Sequence, residues 1–348
     1  MSIKQVAKLA GVSTATVSRY LNSPEHVREK TRLKVQEAIR EIGFSRNTLA
    51  RNFRRGKTSL VMVVLPSVGD PFFSGVMRGI GRVAQREGYS ILISETQSNS
   101  AGFNEYADMV FSKQADGIIL LASISPFMGR EGEASSAALD ARSEGPVPPI
   151  VIGCETVAPA LSHFPSVRVD NVGAAAEATG HLIDSGHRRI AFIAGSHESL
   201  LTSDRERGYR QAMAAAELPV EEHWVVEGDL TIDGARRAAR ELLALQPRPT
   251  AIFCATDEMA MGAMHELRAA GLRIPEDVSV IGFDDVRYAS IQAPPLSTVA
   301  QPAEEIGERT MARLCRAMRG DDIGAEAEVV AHQLVLRNST AAPPDSEA

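Results

Sequence analysis

Two hydrophobic rhythms divide the chain. Up to about residue 43, apolar positions recur at helical spacing. Residues 3–10 (IKQVAKLA) are rich in helix formers and place Val6 and Ala10 on one face. Gly11 suits a tight turn. Ser13 is a candidate N-cap for a second helix over 14–22 (TATVSRYLN), in which Val17 and Leu21 stand four apart. Val35, Ala38, Ile39 and Ile42 follow the i, i+3, i+4, i+7 pattern of a third helix over Thr31–Ile42, and Gly43 stops it. Three short helices with a shared apolar face make a minimal core. The corner at Leu9–Ser13 between the first two is what a helix-turn-helix needs, although an ordinary three-helix bundle fits the same pattern.

From Ser59 the rhythm changes to short apolar runs alternating with amphipathic helices. The strand candidates are Leu60–Leu65, Ser90–Ser94, Gly117–Leu121, Ile150–Ile152, Ser166–Val169, Ile190–Ile193, Trp224–Glu227, Ala251–Cys254 and Val278–Ile281. Helices are predicted between them, among them Phe73–Glu87, Val172–Ser185, Asp204–Ala216, Gly234–Leu245 and Glu258–Ala270. Such alternation predicts an α/β body with parallel sheets. The run is too long for one five-stranded unit and is expected to split near residue 162.

Composition narrows the class. Apolar residues make up 44% and charged residues 23% of 348, ordinary values that exclude global disorder. Cys154, Cys254 and Cys315 are too few and too far apart for a disulfide framework or a CxxC zinc site. No apolar run is long enough for a transmembrane helix, and Met1–Gly11 lacks the apolar stretch of a signal peptide, so a cytoplasmic protein is expected. The net charge of −7 conceals a polarity. Residues 1–58 hold 13 Lys and Arg against 4 Asp and Glu, leaving 24 against 40 in the rest. A basic, structured head on an acidic body points to a nucleic-acid module joined to something else.

In a helix-turn-helix the second helix enters the major groove with its N-terminal end. Thr14, Ala15 and Arg19 then point toward base edges: Thr and Ala suit a thymine methyl, and Arg grips guanine through O6 and N7. Ser13, Thr16 and Ser18 offer hydroxyls to phosphates.

Residues 3–22 resemble the DNA-binding head of the LacI/GalR family of bacterial repressors. The shared positions are Val6, Ala7, Ala10, Gly11, Val12, Ser13, Thr16, Val17, Ser18, Arg19, Leu21 and Asn22. Gln5 stands where the family usually has Asp, which predicts only a difference in capping. The resemblance implies a hinge helix at about Asn47–Arg54 that folds on the operator and pairs with its dimer mate in the minor groove. Asn47, Leu49, Ala50, Arg51, Phe53 and Arg54 are the hinge residues expected at DNA. Leu49 or Phe53 is the wedge candidate, Phe53 the favoured one, unless Phe53 packs under the body. Phe53 replaces the family's usual Leu, and Arg46 its usual Pro. Arg51, Arg54, Arg55 and Lys57 are expected phosphate contacts.

The resemblance continues through Asp70-Pro71-Phe72-Phe73, Asp170-Asn171, Gly186-His187-Arg188, Gly282-Phe283-Asp284 and Gln301-Pro302. It implies an N-terminal all-α helix-turn-helix head (1–46), a hinge helix and linker (47–58) and an α/β effector-binding and dimerisation body (59–338). That body would be two Rossmann-like lobes of periplasmic-binding-protein type I, with an effector between them. The N-lobe is expected at about 59–162 and 293–320, the C-lobe at about 163–292 and 321–338, and a disordered tail at 339–348.

Ligands of such sheets bind at the carboxyl ends of the strands. The resemblance makes Phe73 a stacking wall, Arg205 a hydrogen-bonding clamp and Asp284 an acceptor for ribose or sugar hydroxyls. A surface network with Asp204 and Glu206 is the alternative for Arg205. Leu230, Cys154 and Asp257 complete the expected effector set, although Asp70 and Asp257 each precede a helix and read more simply as N-caps. His187 reads as a surface turn residue. Leu230 stands where many relatives carry an aromatic ring, so a base-stacking wall is expected to be missing there. Several stretches, among them STATVSRYLNSPEHV and PPIVIGCETVAP, look most like the cytidine-repressor branch of the family. The implied function is an effector-controlled repressor, answering to a nucleoside or, second, to a sugar such as a pentose, gluconate or hexose. Its partners would be pseudo-palindromic double-stranded operator DNA and a second copy of the chain. No cofactor, metal or membrane partner is expected.

Competing chemistry finds little support. Gly79-Ile80-Gly81-Arg82-Val83-Ala84 mimics a dinucleotide loop but lies inside a helical pattern, and Gly56-Lys57-Thr58 lacks the upstream Gly of a phosphate loop. An enzyme fused to a DNA-binding head is therefore the weaker alternative.

Overall fold

The computed structural model describes residues 2–44, 58–96, 114–121, 149–154, 163–195 and 199–344. The chain divides into two units, Met1–Thr58 and Ser59–Ala348.

The first unit contains α1 (Ile3–Ala10), α2 (Thr14–Asn22) and α3 (Glu29–Ile42). Gly11, at φ 63°, closes α1 and turns the chain, a left-handed conformation that suits glycine. Ser13 then caps α2: its Oγ accepts from the Thr16 N–H at 3.1 Å. Gln5 has a capping role too, since its side-chain oxygen accepts from the Ser2 N–H at 2.8 Å. Val6, Ala7, Ala10, Val17, Val35 and Ala38 form the small core on which the three helices close.

The second unit is built on two six-stranded sheets. The first contains β1 (Leu60–Leu65), β2 (Ser90–Glu95), β3 (Gly117–Leu120), β4 (Ile150–Gly153) and β5 (Ser166–Arg168), with α4 (Pro71–Glu87) between β1 and β2. The second begins after α5 (Asn171–Asp184). It contains β6 (Ile190–Ala194), β7 (Val225–Glu227), β8 (Ala251–Cys254), β9 (Ser279–Asp284) and β10 (Ser297–Ala300), with α6 (Leu200–Ala215), α7 (Ile232–Ala244) and α8 (Asp257–Ala269) between them. The helix α9 (Ala303–Met318) leads to β11 (Ala327–Val329) and β12 (Gln333–Val335). The orders are β11-β5-β4-β3-β1-β2 and β12-β10-β9-β8-β6-β7. Each is a doubly wound unit with one added edge strand, parallel in the first sheet and antiparallel in the second.

Strand pairing moves the lobe boundaries expected from sequence. β5 pairs with β4, so the N-lobe runs on past residue 162 before the chain first crosses at 169–170. β10 pairs with β9 and therefore belongs to the C-lobe, which puts the second crossing at 301–302 rather than near 293. β11 pairs with β5 in the N-lobe and β12 with β10 in the C-lobe, so the third crossing follows Val329. Each partner lies far away in sequence, so the local pattern of a short strand does not reveal its sheet.

The tail is also corrected. Residues 339–341 are bonded into the C-lobe: the Ser297 N–H donates to Ser339 Oγ at 2.8 Å, and Ser339 Oγ donates to the Val280 carbonyl at 2.6 Å. His187 is likewise no surface residue. It is 1% exposed, with Thr250 Oγ1 at 2.9 Å from Nδ1 and the Ala341 carbonyl at 2.8 Å from Nε2. Ala341 covers the turn that sequence alone leaves open.

Gly79 lies inside α4, as its helical pattern predicts, and its role is in packing. A Cβ at Gly79 would stand 2.0 Å from the Glu304 carbonyl oxygen of α9, and one at Gly307 would stand 2.1 Å from the Val76 carbonyl oxygen. The two backbones touch at this crossing. Gly79→Ala is therefore expected to destabilise the body by about 1–3 kcal/mol through overpacking. Gly81→Ala, with open space around its Cβ, should instead stabilise it by about 0.5–1 kcal/mol through helix propensity. Urea unfolding midpoints of the two variants check this, and shifts of the same sign would overturn it.

Candidate nucleic-acid interface and effector cleft

α2 presents a polar face opposite its buried Val17. Thr14, Ala15 and Arg19 are exposed, while Thr16 and Ser18 are half-buried. Ser13 and Thr16 hydroxyls bond each other at 2.9 Å, so they support the first turn as well as standing beside it. No acidic residue occupies that turn, which leaves the N-terminal end of the helix suited to an anion. Asn22 is the last residue of α2. The expected hinge residues Asn47, Leu49, Ala50, Arg51, Phe53 and Arg54 lie outside the described residues.

In the body, each sheet reverses its winding beside its first strand, and the carboxyl ends there form a crevice. Arg205 of α6 reaches the C-lobe crevice. It is 1% exposed, so the alternative of a surface network with Asp204 and Glu206 does not describe it. Asp204 pairs instead with Arg207, and Glu206 with Arg210. The Arg205 guanidinium lies 3.3 Å from Asp284 Oδ1, donates from Nε to Asn171 Oδ1 at 3.1 Å, and donates to the Ala255 carbonyl beyond β8. Its carbon sits 3.7 Å above the centre of the Phe283 ring, a cation–π contact that packs the cation from beneath.

Asp284 ends β9 at φ 114°, and Asp285 follows at φ 53°. Backbone of this kind costs non-glycine residues about 1–3 kcal/mol and persists only where its surroundings hold it. Asp257 Oδ2 accepts the Val286 N–H at 2.8 Å, Arg337 pairs with Asp285 at 2.7 Å, and the Gln301 amide donates to Asp284 Oδ1 at 2.7 Å. Burial pushes the Asp284 carboxyl up to about 7, against the opposing pull of Arg205. Asp257 is raised well above the usual carboxylate range by burial and by the charge of Asp284. Asp70 is raised by burial, which outweighs its bond from the Phe72 N–H and the pull of Arg205. Glu258 is raised by burial and by Asp70. Among the described residues the crevice thus gathers acidic side chains around Arg205, groups able to bond hydroxyls.

Of the residues expected at the effector, Arg205 and Asp284 come together directly. Phe73 is packed edge-on against Phe72, ring centroids 5.3 Å apart, at the start of α4. Leu230 is half-exposed, and a Cβ on Gly195 beyond β6 would meet its Cδ2 at 2.8 Å. Cys154 is buried at the end of β4, its N–H bonded to Val167 at 2.8 Å. Asp70 is the N-cap of α4, as read from sequence: its Oδ1 accepts from the Phe72 N–H at 2.8 Å. Asp257 is not a cap. Thr256 performs that task through Met259, while Asp257 is buried beneath the crevice and accepts from Thr298 at 2.6 Å. Sequence reasoning gave no role to Asn171, Phe283 or Gln301. Their positions inside the Asp170-Asn171, Gly282-Phe283-Asp284 and Gln301-Pro302 stretches were the available signal.

The chain matches two family models: bacterial regulatory proteins of the lacI family over residues 2–47, and a periplasmic binding protein-like domain over 179–340. It is 38% identical over 343 residues to the HTH-type transcriptional repressor CytR of Escherichia coli (strain K12), covering 99% of this chain and 97% of that protein. The solved lac repressor dimer bound to operator and the anti-inducer ONPF is 26% identical, with a TM-score of 0.83, covering 98% of this chain and 99% of that one. A transcriptional regulator CelR–cellobiose complex is 32% identical, with a TM-score of 0.72, covering 97% and 99%.

The raised Asp284 carboxyl makes a signed prediction. Its folded value of about 7 lies above its ordinary value of 3.8, so the folded state holds an extra proton between them. Stability associated with this group is therefore lost as pH rises from about 4 to 7 and is level above that. Asp284→Asn removes this loss. Melting temperatures at pH 5 and pH 8 should show the variant gaining on the parent protein as pH rises. A gap that stays constant would contradict the buried-acid assignment.

Proposed function

The chain belongs to the lacI family of bacterial DNA-binding transcriptional repressors, and from that premise we propose that its effector is a nucleoside, held by the Arg205–Asp284 pair between the lobes. The pair carries the reading. A buried carboxylate fixed by a guanidinium accepts hydrogen bonds from adjacent hydroxyls, as a ribose offers. The stretches that resemble the cytidine-repressor branch, together with whole-chain similarity to CytR, favour the nucleoside. The half-exposed aliphatic Leu230 favours a second reading, a sugar effector, and the likeness to the CelR–cellobiose complex points the same way.

On this reading two copies form a homodimer whose heads read a pseudo-palindromic operator in the cytoplasm. Ser13, Thr14, Ala15, Thr16, Ser18, Arg19 and Asn22 supply the head contacts. Asn47, Leu49, Ala50, Arg51, Phe53 and Arg54 of the hinge reach the minor groove. Phe73 walls the effector, and Cys154, Asp257 and Leu230 complete its surroundings. The effector acts by binding two lobe arrangements with different affinity, which shifts the population that grips DNA.

Two measurements test this. A thermal-shift panel of cytidine, uridine, adenosine, guanosine, ribose, gluconate and hexoses should show stabilisation by nucleosides, about 2.7 kcal/mol at a hundredfold excess over the dissociation constant. A shift confined to the sugars would replace the nucleoside. Arg19→Ala should cost about 1–3 kcal/mol of discrimination between operator and altered sites. Undiminished discrimination in a competition binding assay would remove Arg19 from the base contacts.

A further inference from the structure

Two side-chain amides stand on the crossings between the lobes, and each is bonded on one side only. Asn171 opens α5 directly after the first crossing, and its Oδ1 accepts from Arg205 Nε at 3.1 Å. Gln301 lies on the second crossing, and its Nε2 donates to Asp284 Oδ1 at 2.7 Å. The Arg205–Asp284 contact at 3.3 Å joins them. An unbroken chain Asn171–Arg205–Asp284–Gln301 thus runs from one crossing to the other through the proposed effector pair.

The orientation of both amides follows from their partners. A guanidinium only donates, so the Asn171 oxygen must face Arg205, and Gln301 turns its nitrogen to Asp284 Oδ1. That leaves Asn171 Nδ2 and Gln301 Oε1 buried without a partner, two of the three such side-chain atoms among the described residues. Any rotation of the lobes must change backbone torsions at the crossings, and so must carry these amides. A ligand hydroxyl donating to Asp284 meets a carboxyl group whose Oδ1 is already shared by Arg205 and Gln301.

We infer that Asn171 and Gln301 are positioning residues that couple the effector pair to the inter-lobe crossings, so that occupancy at Asp284 is felt at the hinge through the two amides. This rests on the effector reading of Arg205 and Asp284. The coupling travels through side chains at the crossings and bypasses the cores of both lobes.

The test uses the full chain, an operator duplex selected in vitro on the parent protein, and cytidine at saturation as the probe. Operator affinity is read by fluorescence anisotropy with and without cytidine. The parent protein should change its affinity by about tenfold or more, within the range of allosteric couplings, and Asn171→Ala and Gln301→Ala by less than about threefold. Asn171→Asp keeps an oxygen toward Arg205 and should restore the response. If an alanine variant fails to fold, Asn171→Ser and Gln301→Asn, each too short to reach its partner, replace it. A full response in the alanine variants at saturation overturns the inference. If neither nucleosides nor sugars bind the parent protein, the effector reading fails by itself, and the ligand-free operator affinity decides the coupling. A shift of about threefold or more in both variants, with unchanged melting, supports it. An unshifted affinity overturns it.

Discussion

A guanidinium with 1% of its surface exposed cannot shed its proton and cannot reach water. Taking such a cation out of water costs several kcal/mol even after relaxation, so its surroundings must return hydrogen bonds and charge. Among the described residues Arg205 obtains them from places that the chain visits far apart, among them Asn171 at the start of α5, the Ala255 carbonyl after β8, and Asp284 at the end of β9. The Phe283 ring lies against one face. Each of these loops is thereby fixed relative to the others. The crevice takes its shape from the need to satisfy one buried cation.

The left-handed Asp284–Asp285 step follows from that need. Extended backbone would carry the chain onward in the line of β9, whereas φ values of 114° and 53° turn it where Asp284 faces Arg205. Asp257 holds the turn from below. Its two oxygens accept from the Val286 N–H and the Thr298 hydroxyl, and the approach is so close that a Cβ at Gly282 would stand 2.2 Å from Asp257 Oδ1. Gly282 is therefore required by its neighbour. Arg337, beyond the third crossing, anchors Asp285 from the side. Residues that never face the crevice set its geometry in this way.

The head was legible in the sequence because its signals are local. The Ser13 cap reaches three residues, the Gly11 turn depends on its own φ, and the apolar stripe of α3 repeats within a few turns. Most strands of the body were legible for the same reason, since a buried parallel strand is a short apolar run between turn signals. What stayed hidden was set by distant partners. Asp257 looked like a cap until Thr256 took that role, and its true partners lie 29 and 41 residues onward. His187 looked exposed because Ala341, which covers it, is 154 residues away. The lobe boundaries shifted because β5, β10, β11 and β12 are only three or four residues long, and a short strand carries no mark of its sheet. Of the crevice, the family resemblance pointed to Arg205 and Asp284. The amides that complete their bonding had no periodicity or spacing of their own to find.

The two lobes share a winding order but contribute unequally to the crevice. The C-lobe supplies the fixed charges, Arg205 and Asp284. From the N-lobe, Asp70 adds an electrostatic effect on Asp284, and Phe73 stands packed beside Phe72. Among the described residues the acids outnumber that cation. The charge of Asp284 raises Asp257, and Asp70 raises Glu258 and Asp284. On the proposed effector reading, these acids stand where a ligand would sit. Hydroxyl groups relieve that charge, because they donate to carboxylates without adding charge of their own. On that reading a phosphate would add to the repulsion, so the same electrostatics that raises Asp284 toward neutrality favours an unphosphorylated, hydroxyl-bearing molecule.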